Sequence, residues 1–154
     1  MAIDGFLKID GIPGESQRRE HEDEIEIHGL EFGMAAAVAT SGHGHVSSGA
    51  RTGRVNFEPI RITKRYDRSS PLLKQSLARA QVFREAVIAI RRTVDGETSD
   101  YLVVTLTEAS TISYDVRPAP EPDVLEETLA LTYATVTFRY HGEYEVLLEN
   151  RPHR

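Results

Sequence analysis

Segments with strand composition dominate this sequence, and only one segment begins like a helix. About eight short runs are alternating or rich in β-branched residues, and turns containing glycine or proline separate them. Ser70-Pro71 is a helix start, because serine is a favoured N-cap and proline is tolerated at the first helical position. We therefore predict a mainly β fold: an antiparallel β-barrel of two sheets with one α-helix and a long extended loop.

The first strands show which faces are buried. Residues 24–28 alternate charge and isoleucine, which places Ile25 and Ile27 on a buried face of a half-buried antiparallel strand. Residues 54–66 read as one long strand whose phase slips at Pro59. Because proline cannot donate a ladder hydrogen bond, the slip predicts a bulge or an edge position.

The middle of the chain contains strands that are apolar on both faces. Residues 86–90 and 101–107 do not alternate cleanly, so we expect both of their faces to be covered. Asp95-Gly96 supplies the hairpin turn between them. Residues 111–116 predict a further short strand, and residues 125–140 predict one or two more.

The single helix is predicted to run from an N-cap at Ser70 to the neighbourhood of Gln81 or Val82. Leu73, Leu77 and Ala80 are spaced to share its buried face.

Residues 29–53 are rich in alanine, glycine and serine, which predicts a long loop or an extended hairpin. Connections of this length are unusual unless they act on a partner. We expect this segment to be mobile in an isolated subunit.

Length and composition exclude several classes of protein. The chain has 154 residues, which predicts a single domain over 1–154, and it contains no cysteine for a disulfide, a thiolate nucleophile or a thiolate metal ligand. The N-terminal residues lack a basic stretch followed by an apolar one, and the apolar run 34–39 is too short to span a bilayer. We expect a soluble protein with no membrane insertion, made in the cytoplasm and exported, if at all, without a signal peptide.

Charge is unevenly distributed. The net charge of −6 argues against nucleic-acid binding, yet residues 51–92 contain eleven basic and three acidic residues between two acidic flanks. Two interpretations stay open: the basic segment of one subunit meets an acidic segment of the next, or the charges pair within one subunit. Arg61, Lys64, Arg65 and Arg68 form a basic cluster with Tyr66 as its only aromatic neighbour, which favours a subunit or cargo contact over a nucleic-acid site.

No pattern in the sequence predicts an enzyme. His43 and His45 offer two imidazoles in a glycine-serine loop, whereas a metal site needs three or four convergent ligands. Nucleophile-elbow, phosphate-loop and dinucleotide patterns are absent from the sequence. We therefore predict no catalytic residue, no metal site and no cofactor, and expect the two histidines to be solvated or to contact a partner.

Several motifs, in one order, resemble the haemolysin-coregulated protein (Hcp) family. The matching segments are FLKIDGIPGES at 6–16, His21, EIEI at 24–27, DRSSPLL at 67–73 and LTYATVTFRY at 131–140. The chain departs from the family at 28–33, where many members have serine and tryptophan, and at Phe138, where tryptophan is common.

The resemblance implies a structural function. Members of the family are small β-barrel proteins that close into hexameric rings, and the rings stack into the inner tube of the type VI secretion system. It therefore implies a homohexamer that is expelled with the tube, carries small effector proteins in its lumen, and contacts the spike and sheath proteins. Two alternatives stay open: a tail-tube protein of a phage-like or extracellular contractile device, and a monomeric secreted β-domain effector or binding module.

The family pattern and the strand faces together suggest two interfaces. The residues predicted for the lateral ring interface are Val87, Ala89, Tyr101, Val103, Arg61 and Arg65. The residues predicted for ring stacking are Gly14, Glu15, Ser16, His43, His45 and Ser47.

Overall fold

The strands of the fold are short near the N-terminus and long in the middle of the chain. The structure is a computed structural model that describes residues 2–40 and 46–150. Over those residues it contains one helix, α1 (Ser70–Ala78), and these strands: β1 (Asp4–Ile9), β2 (Ile25–Ile27), β3 (Gly29–Glu31), β4 (Met34–Thr40), β5 (Val46–Phe57), β6 (Ile60–Arg65), β7 (Phe83–Val94), β8 (Glu97–Pro118), β9 (Leu125–Thr132), β10 (Thr135–Tyr140) and β11 (Tyr144–Glu149).

The strands form two antiparallel sheets. The nine-stranded sheet follows the path β2-β1-β7-β8-β9-β6-β3, and β10 joins it between β8 and β11. The second sheet contains only β4 and β5. The predicted mainly β fold, with one helix and a long extended connection, is confirmed.

The strand path of the large sheet is open and does not form a closed barrel, since it ends at β2 and at β3. These two ends are consecutive in the chain and only His28 separates them. The carbonyl of His28 accepts a hydrogen bond from Ile3 N at 3.0 Å, and its own N–H donates to Thr63 O at 2.9 Å. The sheet therefore curls until both of its ends share one short segment.

Two strand predictions need correction. Residues 101–107 and 111–116 belong to one strand, β8, which continues through a register shift between Thr111 and Ser113 that leaves Ile112 exposed. The predicted strand 54–66 is two strands, because the phase slip at Pro59 separates β5 from β6 and the two lie in different sheets.

The helix also differs from its prediction. Ser69 occupies the N-cap position, and the buried helical side chains are Ser70, Leu73 and Ser76. The hydroxyl of Ser70 is drawn into the interior by polar partners, so the buried face of the helix turns away from Ala80, which is exposed. The helix ends at Ala78, before the predicted 81–82.

The core lies between the inward faces of the large sheet. Ile25 and Ile27 are buried and Glu26 between them is exposed, which confirms the predicted alternation. Leu73 of α1 packs against this core with no exposed surface. Burial of an apolar side chain of this size stabilises the fold by about 1.5–3 kcal/mol.

Candidate assembly surfaces

One outer face of the large sheet is uncharged. Strand register aligns Val87, Thr105, Thr137 and Leu147 in a row across β7, β8, β10 and β11. We call this row, together with Val103, the valine-threonine face. The first three side chains of the row are half-buried, and Leu147, next to the edge of the sheet, is 57% exposed.

The predicted lateral residues lie in three different environments. Val87 and Val103 belong to the valine-threonine face. Ala89 pairs with Val103 across the strands but is only 4% exposed within the subunit itself. Tyr101 is half-buried at a register shift between β7 and β8, and the guanidinium of Arg92 lies 4.6 Å from the centre of its ring.

Arg61 and Arg65 lie elsewhere, on the exposed side of β6. The guanidinium of Arg65 is paired with Glu121 at 2.9 Å. The structure therefore does not gather the six predicted lateral residues into one patch, and separates the arginines from the valines.

The subunit itself covers the outer face at the end near Ala89. His21 stacks on Phe6 with parallel rings whose centres are 4.4 Å apart. The two imidazole nitrogens contact Glu24 at 2.8 Å and Asp100 at 2.9 Å. The sequence gave no signal for this clasp apart from the position of His21 in the family order.

Asp100 joins the clasp to the sheet. Burial tends to raise the pKa of this carboxyl, but hydrogen bonds and charges from Arg91 and His21 outweigh burial and lower its pKa below the ordinary value. Arg91 Nε donates to Asp100 Oδ1 at 2.7 Å.

Two of the residues predicted for stacking are interior residues of the subunit. Gly14 N donates to Asp23 O at 2.8 Å, and Ser16 N donates to Glu24 O at 3.1 Å. A Cβ at Gly14 would lie 2.4 Å from Glu24 O, so only glycine allows the two backbones this approach. The side chain of Glu15 is exposed between them.

The hairpin of β4 and β5, which we call the arm, is the extended connection predicted from the sequence. Its strands pair only with each other. His43 and His45 lie outside the described residues, and Ser47 belongs to β5, with its side chain outside the described part of the structure.

Aromatic residues fix the root of the arm. Phe57 meets Tyr133 edge-to-face with ring centres 6.5 Å apart. The hydroxyl of Tyr133 donates to Glu58 O at 2.9 Å. Burial, with a smaller contribution from the charge of Glu58, raises the pKa of Tyr133 to about 12.

The predicted basic cluster is dispersed by ion pairs within the subunit. Lys64 is fully buried and paired with Glu127 at 3.1 Å. Arg68 pairs with Asp23 at 3.0 Å, and Arg65 pairs with Glu121. The prediction of a basic contact surface at Lys64 is wrong, because its partners fold over it; these contacts match the interpretation that charges pair within one subunit.

The Lys64 ion pair belongs to a buried polar network beneath the helix. Lys64 Nζ also donates to Asp67 Oδ1 at 3.1 Å and to Ser70 Oγ at 3.2 Å. The carboxylate of Glu127 accepts hydrogen bonds from Ser70 and from Tyr114 as well. A serine next to a lysine is a pattern known from catalysis, but neither Ser70 nor Lys64 has any exposed surface from which to reach a substrate.

The free edge of the large sheet is β11, a feature that the sequence did not reveal. This strand pairs with β10 on one side and with no strand of the described residues on the other. Its exposed apolar side chains are Tyr144 at 65%, Val146 at 49% and Leu147 at 57%.

Two other kinds of site were sought in the described part of the chain. Over 2–40 and 46–150, no three histidine or carboxylate side chains lie together as metal ligands would. The α1 helix is also too short and too polar to cross a bilayer, and no other helix occurs in those ranges.

Comparisons with known proteins point to one family. Residues 6–140 match the family described as "Type VI secretion system effector, Hcp". Protein hcp1 of Pseudomonas aeruginosa is 31% identical over 143 residues, which cover 93% of this chain and 86% of that protein. Hcp1 from Salmonella typhimurium is 27% identical, with a TM-score of 0.75 and coverage of 96% of this chain and 93% of that one. Hcp1 from E. coli has the same fold at 23% identity, with a TM-score of 0.78 and coverage of 97% and 98%.

Proposed function

The chain belongs to the Hcp family of type VI secretion proteins, and we propose that its surfaces serve two assembly steps, closure of a hexameric ring and stacking of rings into a tube. One domain spanning 1–154 performs both steps. The lumen of the ring holds small effector proteins, and the chain leaves the cell through the machine it helps to build. The spike and sheath proteins of the system are its further partners.

Ring closure requires two different surfaces on each subunit, because copies in a ring meet head to tail. The observation that carries the proposal is the uncharged valine-threonine face on the outside of a folded subunit. Val87, Val103 and Leu147 leave apolar surface there that a neighbouring copy would cover. The second surface is the exposed side of β6 that carries Arg61 and Arg65, which supports a contact that begins electrostatically and is completed by apolar packing.

Ring stacking is assigned to the arm and to the turn at Glu15. A two-stranded hairpin is marginally stable by itself in water, so an arm of this length gains stability from a partner. Glu15 is the one exposed side chain among the three residues predicted in that turn. His43, His45 and Ser47 near the end of the arm belong to the same proposed contact.

The proposal includes no catalytic activity. The described serine with a lysine beside it, Ser70, is sealed beneath α1, and Lys64 is already engaged with Glu127. The established logic of nucleophilic catalysis requires both a free base and access for the substrate.

The test is the native mass of the protein by light scattering, with negative-stain microscopy of the same peak. We expect six-fold rings for the natural chain and monomers for Val103→Arg, because a cation would have to be buried in the lateral contact. Val94→Arg, an exposed valine at the tip of the β7–β8 hairpin, is the matched control and keeps its ring.

The outcomes separate two errors. Rings formed by Val103→Arg would show that the valine-threonine face is not the lateral interface. A natural chain that is monomeric at every concentration would overturn the assembly proposal as a whole and favour a monomeric binding module.

A further inference from the structure

The β11 strand has the properties of an edge that another strand covers. Sheet edges exposed to water are normally protected by lysine, proline or a bulge. Residues 144–149 contain neither lysine nor proline, and β11 pairs with β10 in unbroken register. Tyr144, Val146 and Leu147 add exposed apolar surface to this unprotected edge.

The arm is the other described element whose strands have unpaired edges. β4 has seven residues, close to the six of β11, and its outer edge has no partner strand within the described ranges. Its sequence, MAAAVAT, is uncharged and mostly small, which allows a neighbouring strand to lie flat against it. The side chains of Met34 and Val38 are exposed in the free subunit.

Charge matches the arm to the β10–β11 hairpin. Residues 34–57 contain no aspartate or glutamate but contain Arg51 and Arg54. The β10–β11 hairpin contains Glu143, Glu145 and Glu149, all exposed. Glu145 lies 3.8 Å from Arg139 on the neighbouring strand, so the other two acids remain to attract a basic partner.

We propose that β4 of one copy adds to the free edge of β11 in a second copy, so that the large sheet continues from subunit to subunit through main-chain hydrogen bonds. This inference rests on the proposed function, because it names the surface that receives the arm during assembly. Main-chain pairing supplies the contact, and the alternate side chains of β11 set its register.

The absence of cysteine from the chain makes a direct test possible. Single variants Ala35→Cys in β4 and either Val146→Cys or Leu147→Cys in β11 are co-expressed with different tags, purified as assemblies and oxidised. We expect a covalent heterodimer on a non-reducing gel for one of the two β11 positions, because neighbouring strand residues point to opposite faces. Each variant alone should remain monomeric on the gel.

A matched control uses Ile112→Cys with Ala35→Cys. Ile112 is 47% exposed, nearly the same as the 49% of Val146, but it lies on the β8 bulge away from the β11 edge. A heterodimer that forms equally well with Ile112→Cys, or with neither β11 variant, overturns the proposal.

Charge reversal gives an independent readout. Glu143→Lys with Glu149→Lys should weaken assembly measured by light scattering, and Arg54→Glu in the same chain should restore part of it. If rings and tubes persist unchanged and no heterodimer forms, the β11 contact is wrong while the proposed function stands. If no assembly forms in the natural chain, the proposed function and this inference both fail.

Discussion

The buried ion pair between Lys64 and Glu127 allows a quantitative prediction. Replacing Lys64 with methionine leaves the carboxylate of Glu127 with no exposed surface and no cationic partner. Breaking a buried pair in this way costs about 3–5 kcal/mol of the free energy of unfolding. Because a domain of this size is stable by about 5–15 kcal/mol in total, Lys64→Met should be close to unfolding at room temperature.

The double variant distinguishes the cause. In Lys64→Met with Glu127→Leu, no charge is left uncompensated, and the loss falls to the two hydroxyl hydrogen bonds of Ser70 and Tyr114, about 1 kcal/mol each. The double variant should therefore be more stable than the single one by about 1–3 kcal/mol. This reversal is the signature of an orphaned charge, because two independent losses would add.

The assay is urea unfolding followed by far-ultraviolet circular dichroism at equal protein concentration. Arg61→Met, on the same strand but exposed, is the control and should change stability by less than about 0.5 kcal/mol. Equal or greater instability of the double variant would refute the argument that the charge of Glu127 dominates the cost.

Three further predictions concern other parts of the fold. Asp100 has a lowered pKa in the folded chain, so its contribution to stability is present above its unfolded value of 3.8 and is lost as the pH falls further; thermal unfolding of Asp100→Asn should show a shallower decline below that pH than the natural chain. Tyr133 has a pKa of about 12, raised from 10.0, so alkaline spectrophotometric titration should show one tyrosine ionising late, and Tyr133→Phe should abolish that late step. Gly14→Ala would bring a Cβ to 2.4 Å from Glu24 O and should cost about 1–3 kcal/mol in urea unfolding, whereas Gly33→Ala, with no contact closer than 3.5 Å, should cost far less.

Local signals in the sequence predicted local structure well. The Ile25 and Ile27 alternation produced the expected buried face because side-chain period follows directly from an extended backbone. Asp95-Gly96 makes the β7–β8 turn with positive φ at both residues, as its composition predicts. Pro59 marked the position where one strand ends and another begins, although not that the two would enter different sheets.

Features that depend on distant partners were not predictable in the same way. Lys64 looked like part of a basic surface because its partner Glu127 is 63 positions away in sequence. Ser70 looked like an N-cap, but its hydroxyl is used by the same network, and the cap position moved to Ser69.

The candidate surfaces show the same limit. Strand periodicity identified Val87 and Val103 as outward-facing, since that follows from alternation alone. It could not show that Ala89 lies beneath the subunit's own surface, or that β11 ends the sheet, because both depend on how strands distant in sequence are arranged. The six predicted lateral residues and the stacking residues remain predictions until assemblies are measured.

The 22 residues of β8 have a mechanical consequence for a tube that is driven forward by force. One edge of β8 is bonded to β7, and its other edge is bonded first to β10 and then to β9. A load applied to the β7 side of a subunit therefore reaches the β9 side along the covalent backbone of a single strand. To part the two sides, the load must shear rows of backbone hydrogen bonds together, so each subunit should transmit thrust as a stiff element.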